Sequence, residues 1–156
     1  MEAARRAEPG DLERLAELFT VAVAELRPNR GGAVFAAREL RPEPGTDDLA
    51  AVIADPDRVA VVGTYDGVVV GYGTGAVEVL RDGTRLGRVQ DLFVEAEGRG
   101  VGIGRAIMND LMDWFRSQAC DAVDGYALPG DRSTKNFFEA SGFSARLLVM
   151  HTRIQP

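Results

Sequence analysis

Apolar residues recur along this chain at helical spacing in two stretches, and turn signals divide the remainder into strand-like runs and loops. Leu12, Leu15, Phe19, Val23 and Leu26 fall at helical spacing after Pro9-Gly10, with Asp11 placed to cap that helix and Pro28 to stop it. From Arg27 to Asp48 the pattern lapses into prolines and glycines around an apolar island, Ala33 to Ala37, which predicts loops and one short helix. Another short helix is predicted from Asp47 to Ala54, closed by Asp55-Pro56. Arg58 to Tyr65 and Val68 to Val79, separated by Asp66-Gly67, predict a hairpin. After a second turn signal, Arg81-Asp82-Gly83-Thr84, a third strand begins at Arg85 or Leu86 and runs to Val94.

Helical spacing returns in Ile103, Ile107, Met108, Leu111, Met112 and Phe115, with Arg105, Asn109, Asp110, Asp113 and Arg116 on the opposite face. A strand from Ala122 to Leu128 follows, then a break at Pro129-Gly130 and a helix of about Arg132 to Ala140 stopped by Gly142. A last strand, Ala145 to Ile154, is expected to complete the sheet. A strand–helix–strand unit of this length crosses over right-handed and makes its two strands parallel. The expected fold class is therefore α/β, in an α+β arrangement with a mixed sheet: an antiparallel meander of three strands followed by a βαβ unit.

With 156 residues, 46% of them hydrophobic, one well-buried core and a single domain over residues 1–156 are expected. No apolar run approaches a membrane span, and Met1 to Arg6 leads into polar sequence rather than a signal-peptide core, so the expectation is a cytoplasmic protein without a membrane partner. The net charge of −6 argues against a nucleic-acid surface. Cys120 is the single cysteine, which excludes an intramolecular disulfide and leaves a buried, inert thiol as its expected state. His151, the single histidine, falls on the predicted last strand and is expected to be structural or exposed.

The chemistry is concentrated between Gly98 and Arg105, where Gly98, Gly100, Gly102 and Gly104 alternate with other residues at the start of the amphipathic helix. Glycine inside a helix costs about 0.5–1 kcal/mol relative to alanine, so four around one helix start need a reason. Unpaired N–H groups and the positive dipole end of a first turn hold anions, and glycine admits a phosphate close to the backbone. A Rossmann fingerprint requires Gly-x-Gly-x-x-Gly, and Gly100-x-Gly102-x-Gly104 does not fit. A P-loop requires Gly-Lys before Ser or Thr, and the one lysine is Lys135.

Arg99-x-x-Gly102-x-Gly104, preceded by Asp91-Leu92-Phe93-Val94, resembles the pyrophosphate-binding motif of the GNAT superfamily of N-acetyltransferases. Asn136-Phe137-Phe138-Glu139 with Gly142-Phe143 is similar to that family's later helix and turn. The resemblance implies acetyl-coenzyme A as cosubstrate, with backbone N–H groups of Gly100, Val101, Gly102, Ile103, Gly104 and Arg105 around its pyrophosphate and Arg99 opening the loop. It also implies that backbone groups of Leu92, Phe93 and Val94 pair with the pantetheine arm where the parallel strands splay. A backbone N–H near Leu92 or Phe93 would then polarise the thioester. Ser133, Thr134, Asn136 and Asp131 would flank the cofactor, Asp131 standing where asparagine is frequent in the family.

The implied acceptor is a small-molecule primary amine attacking directly, without a metal. Asp91 is the candidate general base, or a group that positions a cationic substrate, with Glu78 and Glu95 behind it. Gln90 stands where polyamine-type relatives carry a glutamate, and Phe138 where many members carry the tyrosine that protonates the departing thiolate; Tyr126 is a candidate substitute. Two other activities remain open, an acyl-coenzyme A-binding module with little catalysis and an enzyme acting on a protein amine. The edge of the C-terminal strand is a place for two copies to pair as a homodimer.

Overall fold

The computed structural model describes residues 1–155. One five-stranded sheet, ordered β1-β2-β3-β4-β5, carries helices on both faces. Its strands are β1 (Glu2–Arg6), β2 (Arg58–Tyr65), β3 (Val68–Val79), β4 (Arg85–Val94) and β5 (Ala122–Gly125). The helices are α1 (Leu12–Leu26), α2 (Gly32–Arg38), α3 (Thr46–Ala54), α4 (Ile103–Ser117) and α5 (Arg132–Ala140). β1 to β4 are antiparallel neighbours, and β4 and β5 are parallel, as the crossover through α4 requires.

Four expectations are corrected. The meander has four strands, because the polar stretch Glu2–Arg6 pairs with β2; as an edge strand it needs no apolar alternation to belong to the sheet. Asp11 does not cap α1: its carboxylate accepts the Glu8 N–H at 2.8 Å and pairs with Arg5, closing a short 3-10 turn before the helix. Ala145 to Ile154 forms no strand. That segment runs exposed, fastened by Arg146 to Asp124, and β5 is shorter than expected, with four residues.

α4 buries Ile103, Ile107, Met108, Leu111, Trp114 and Phe115 on one face of the sheet, with Val59, Val61 and Val89 beneath them. α1 and α3 bury Leu15, Leu18, Phe19, Val23 and Leu49 on the other, over Val62 and Tyr72. A sheet covered on both faces explains why six successive residues of β2 are buried instead of alternate ones. α4 approaches closely because β3 and β4 offer it glycines: a Cβ on Gly73 would stand 2.7 Å from Ile107, and one on Gly87 2.5 Å from Phe115.

β4 contains one irregularity that governs the site. Val89 pairs with Gly75 and Asp91 with Thr74, so Gln90 is an extra residue in the ladder. Before this bulge Gly87 and Val89 face α4; after it Leu92 and Val94 pack on that side, while Phe93 joins the α1 face. One inserted residue thus inverts the alternation and turns Asp91 toward Tyr72 and Thr74.

Candidate active site

The β4–β5 ladder ends at Val89–Gly125. Beyond that pair the strands diverge, and a cavity of about 730 Å³ opens between Gln90–Val94 and Tyr126–Leu128. A volume of this order suits a small-molecule site. The end of α1 lies across it. Glu25 accepts from Arg99 at 2.8 Å, tying α1 to the glycine loop, and Asn29 and Gly31 lie against Gly130 and Leu128.

The glycine loop forms a backbone cradle at this cavity. Gly100 and Gly102 take φ of +83° and +90°, a left-handed conformation that side chains disfavour. Gly102 is the N-cap of α4 and supplies no side-chain acceptor, so the first N–H groups of the helix are left for a ligand. Arg105 lies in this first turn and on the cavity wall. A cation there opposes the helix dipole by about 0.3–1 kcal/mol, a cost an anion in the cradle would offset. Arg99 donates Nε–H to the Val94 carbonyl at 2.8 Å, and its guanidinium lies over the Phe93 ring.

Most residues expected at the cofactor site line this cavity: Leu92, Phe93, Val94, Arg99, Gly100, Gly102, Ile103, Gly104, Arg105 and Ser133. Val101 and Asn136 do not. Val101 projects into solvent, 42% exposed, and Asn136 stands about 200° round α5 from Thr134, which is on the wall. Asp131 caps α5, accepting the Thr134 N–H and hydroxyl, and Ser133 donates to it. Phe138 is a buried side chain at the edge of the cavity wall, tilted against Phe143 and pressed on Gly125, where a Cβ would meet the ring at 2.4 Å.

Asp91 lies at the cavity in a setting the sequence did not disclose. It is buried, and its carboxylate accepts hydrogen bonds from the Tyr72 hydroxyl at 3.1 Å, from the Thr74 hydroxyl and from the Arg41 guanidinium. Arg41, also buried, further donates to Asp48 of α3 at 2.9 Å, and Asp48 accepts from Arg58. The guanidinium packs over Phe19 of α1, and its Nε has no hydrogen-bond partner among the described residues. Burial, and then the charge of Asp91, hold the Tyr72 phenol well above its ordinary pKa, so it stays a neutral donor. Arg41 escaped sequence reasoning because it sits among prolines 50 residues from its partner. The available signal was the acid on β4, which needs a cation if it is buried.

The other candidates lie elsewhere. Glu95 pairs with Arg14 and Glu78 with Arg88, neither on the cavity wall; Gln90 and Tyr126 are on it. His151 is exposed in the C-terminal segment. Cys120 packs partly buried against the α4 core, and burial pushes its thiol pKa up, as an inert thiol requires.

The sequence pattern of the Acetyltransferase (GNAT) family matches residues 23–143. Over 65 residues the chain is 36% identical to glucosamine 6-phosphate N-acetyltransferase of Trypanosoma brucei brucei, a stretch that is 42% of each protein. The chain thus matches about two fifths of the length of that curated relative. The structure of AAC(6')-Iy in complex with a bisubstrate analog, CoA-S-monomethyl-acetylneamine, superposes with a TM-score of 0.76 at 16% identity, covering 100% of this chain and 99% of that one. A putative acetyltransferase from Agrobacterium tumefaciens str. C58 gives 0.72 at 24% identity, covering 97% and 99%. At these identities the structural likeness establishes the fold.

Replacing Arg41 with Met should strand the buried Asp91 carboxylate and lower unfolding free energy by about 3–5 kcal/mol, measured in urea. Combining it with Asp91→Asn should cost less than the sum of the two single changes, the mark of a coupled pair.

Proposed function

The chain belongs to the GNAT acetyltransferase family, and on that footing we propose that it moves the acetyl group of acetyl-coenzyme A to the primary amine of a small molecule, by direct attack in a ternary complex. The observation that carries this proposal is the left-handed glycine cradle at an uncapped helix start, opening on the cavity where β4 parts from β5. Pyrophosphate binds the N–H groups from Gly100 to Arg105, Val101 entering through its backbone alone. The pantetheine arm runs beside Leu92, Phe93 and Val94, whose strand has no β5 partner beyond Val89. Ser133 and Thr134 of α5 flank it, and Asn136 is left out.

The chemistry needs a free amine and a polarised thioester. An alkylammonium has a pKa near about 10.4, so attack follows loss of a proton to water and the rate climbs with pH. A β4 backbone N–H near Leu92 or Phe93 meets the oxyanion as it develops. A thiolate with a conjugate-acid pKa near about 8.5 departs without full protonation, so Phe138 in place of a tyrosine is tolerated. Tyr126, half exposed on the wall, stands available to protonate it afterwards.

Asp91 is assigned a positioning role. A general base presents a free lone pair to the amine, whereas this carboxylate faces Arg41, Tyr72 and Thr74 and through Arg41 holds the segment between α2 and α3 over the site. We also propose a homodimer formed through the C-terminal segment. Leu147, Leu148, Val149 and Met150 are 70–87% exposed, and the outer edge of β5 is unpaired among the described residues. A run of apolar residues beside an open edge is suited to pairing with a second copy.

Gly102→Val should weaken acetyl-coenzyme A binding at least tenfold by calorimetry; unchanged affinity removes the phosphate-loop assignment. Tight binding with no amine-dependent thiol release would identify a binding module instead. Asp91→Asn should raise the KM for the amine and leave the shape of the pH–rate profile intact, while a selective loss of rate at low pH would make Asp91 the base. Light scattering should find a dimer, and Leu148→Asp with Met150→Asp should give a monomer.

A further inference from the structure

The wall of the cavity divides by chemistry. Its charged donors, Arg99 and Arg105, belong to the glycine loop, and Asp131 is engaged in capping α5. The rest of the wall, contributed by α1, α2 and the segments after α2 and β5, presents chiefly Phe19, Val23, Leu26, Phe35, Leu40 and Tyr126; its uncharged polar groups are Gln90, Asn29, whose amide donates to the Glu25 and Leu26 carbonyls, and Tyr72, whose hydroxyl donates to Asp91. Phe35 and Tyr126 meet edge to face, ring centres 6.1 Å apart and planes at 71°, joining α2 to the segment after β5. The acids on this side are Asp91, committed to three donors, and Glu25, paired with Arg99. Arg41 comes near but is not on the wall, and its charge is shared between Asp48 and Asp91.

We infer that the acceptor is a monoamine with an apolar body, an aryl-alkyl or alkyl amine, rather than a polycationic sugar or an amine bearing phosphate. A polycation brings several ammonium groups, and each one desolvated without a carboxylate costs several kcal/mol. A phosphorylated amine needs a cation or a cluster of N–H donors on the acceptor side, and the wall there offers neither. An aromatic or aliphatic body is instead recognised by burial against Phe35, Tyr126 and Leu40. Its single amine loses its charge before reacting, so no acid need be reserved for it.

The inference rests on the acetyl-transfer proposal, and the test separates the two. Thiol release from acetyl-coenzyme A is measured with 2-phenylethylamine, tryptamine and hexylamine on one side, and neamine, spermidine and glucosamine 6-phosphate on the other. The apolar amines should be favoured at least tenfold in kcat/KM. Phe35→Ala should raise the KM for 2-phenylethylamine at least fivefold, leave the KM for acetyl-coenzyme A unchanged, and be largely rescued by Phe35→Leu. Preference for any polar amine, or an unchanged KM in Phe35→Ala, overturns the inference and leaves acetyl transfer standing. Tight acetyl-coenzyme A binding with no turnover of any amine overturns both.

Discussion

The site depends on a single inserted residue. Gln90 has no partner in β3, and the bulge it makes reverses which side chains of β4 face which helix layer. Without it Asp91 would follow Val89 into the apolar core beneath α4. With it Asp91 joins Tyr72 and Thr74 on the α1 face, and β4 departs from β5 at the next step. The divergence leaves the β5 side of Leu92 to Val94 without a strand partner, and it opens the cavity beside the glycine loop.

The reversal creates an electrostatic problem that a distant loop solves. A carboxylate taken out of water needs a cation, and Arg41 reaches it from the segment between α2 and α3. The same guanidinium engages Asp48 of α3 and lies over Phe19 of α1, so the segment between α2 and α3 is attached to the sheet at the cavity. Glu25 and Arg99 make a second tie, between α1 and the glycine loop.

The two halves of the cavity wall are built differently. The glycine loop presents backbone N–H groups and a helix dipole, which depend on conformation and hardly at all on side-chain identity. The opposite half is walled by side chains from α1, α2 and irregular segments, the parts of a fold whose sequence varies most freely.

That difference also sets what was legible in the sequence. Helical periodicity identified α1 and α4, the break at Pro129-Gly130 and the stop at Gly142 bounded α5, and Asp66-Gly67 between two strand-like runs identified the hairpin, because these signals are local. The glycine spacing identified a special loop conformation for the same reason, since φ beyond +80° at Gly100 and Gly102 is a demand on residue type. The sequence by itself therefore determined the fold class, the family resemblance and the left-handed glycine loop that lines the cavity. Only the tertiary structure decided that Glu2–Arg6 is a strand, that residues 145–154 are not, that Asn136 faces away, and that Asp91 is bound to Arg41. Edge pairing, a one-residue shift of register and a buried ion pair are all contacts between residues far apart in the chain, and no local pattern of apolar and polar positions encodes them.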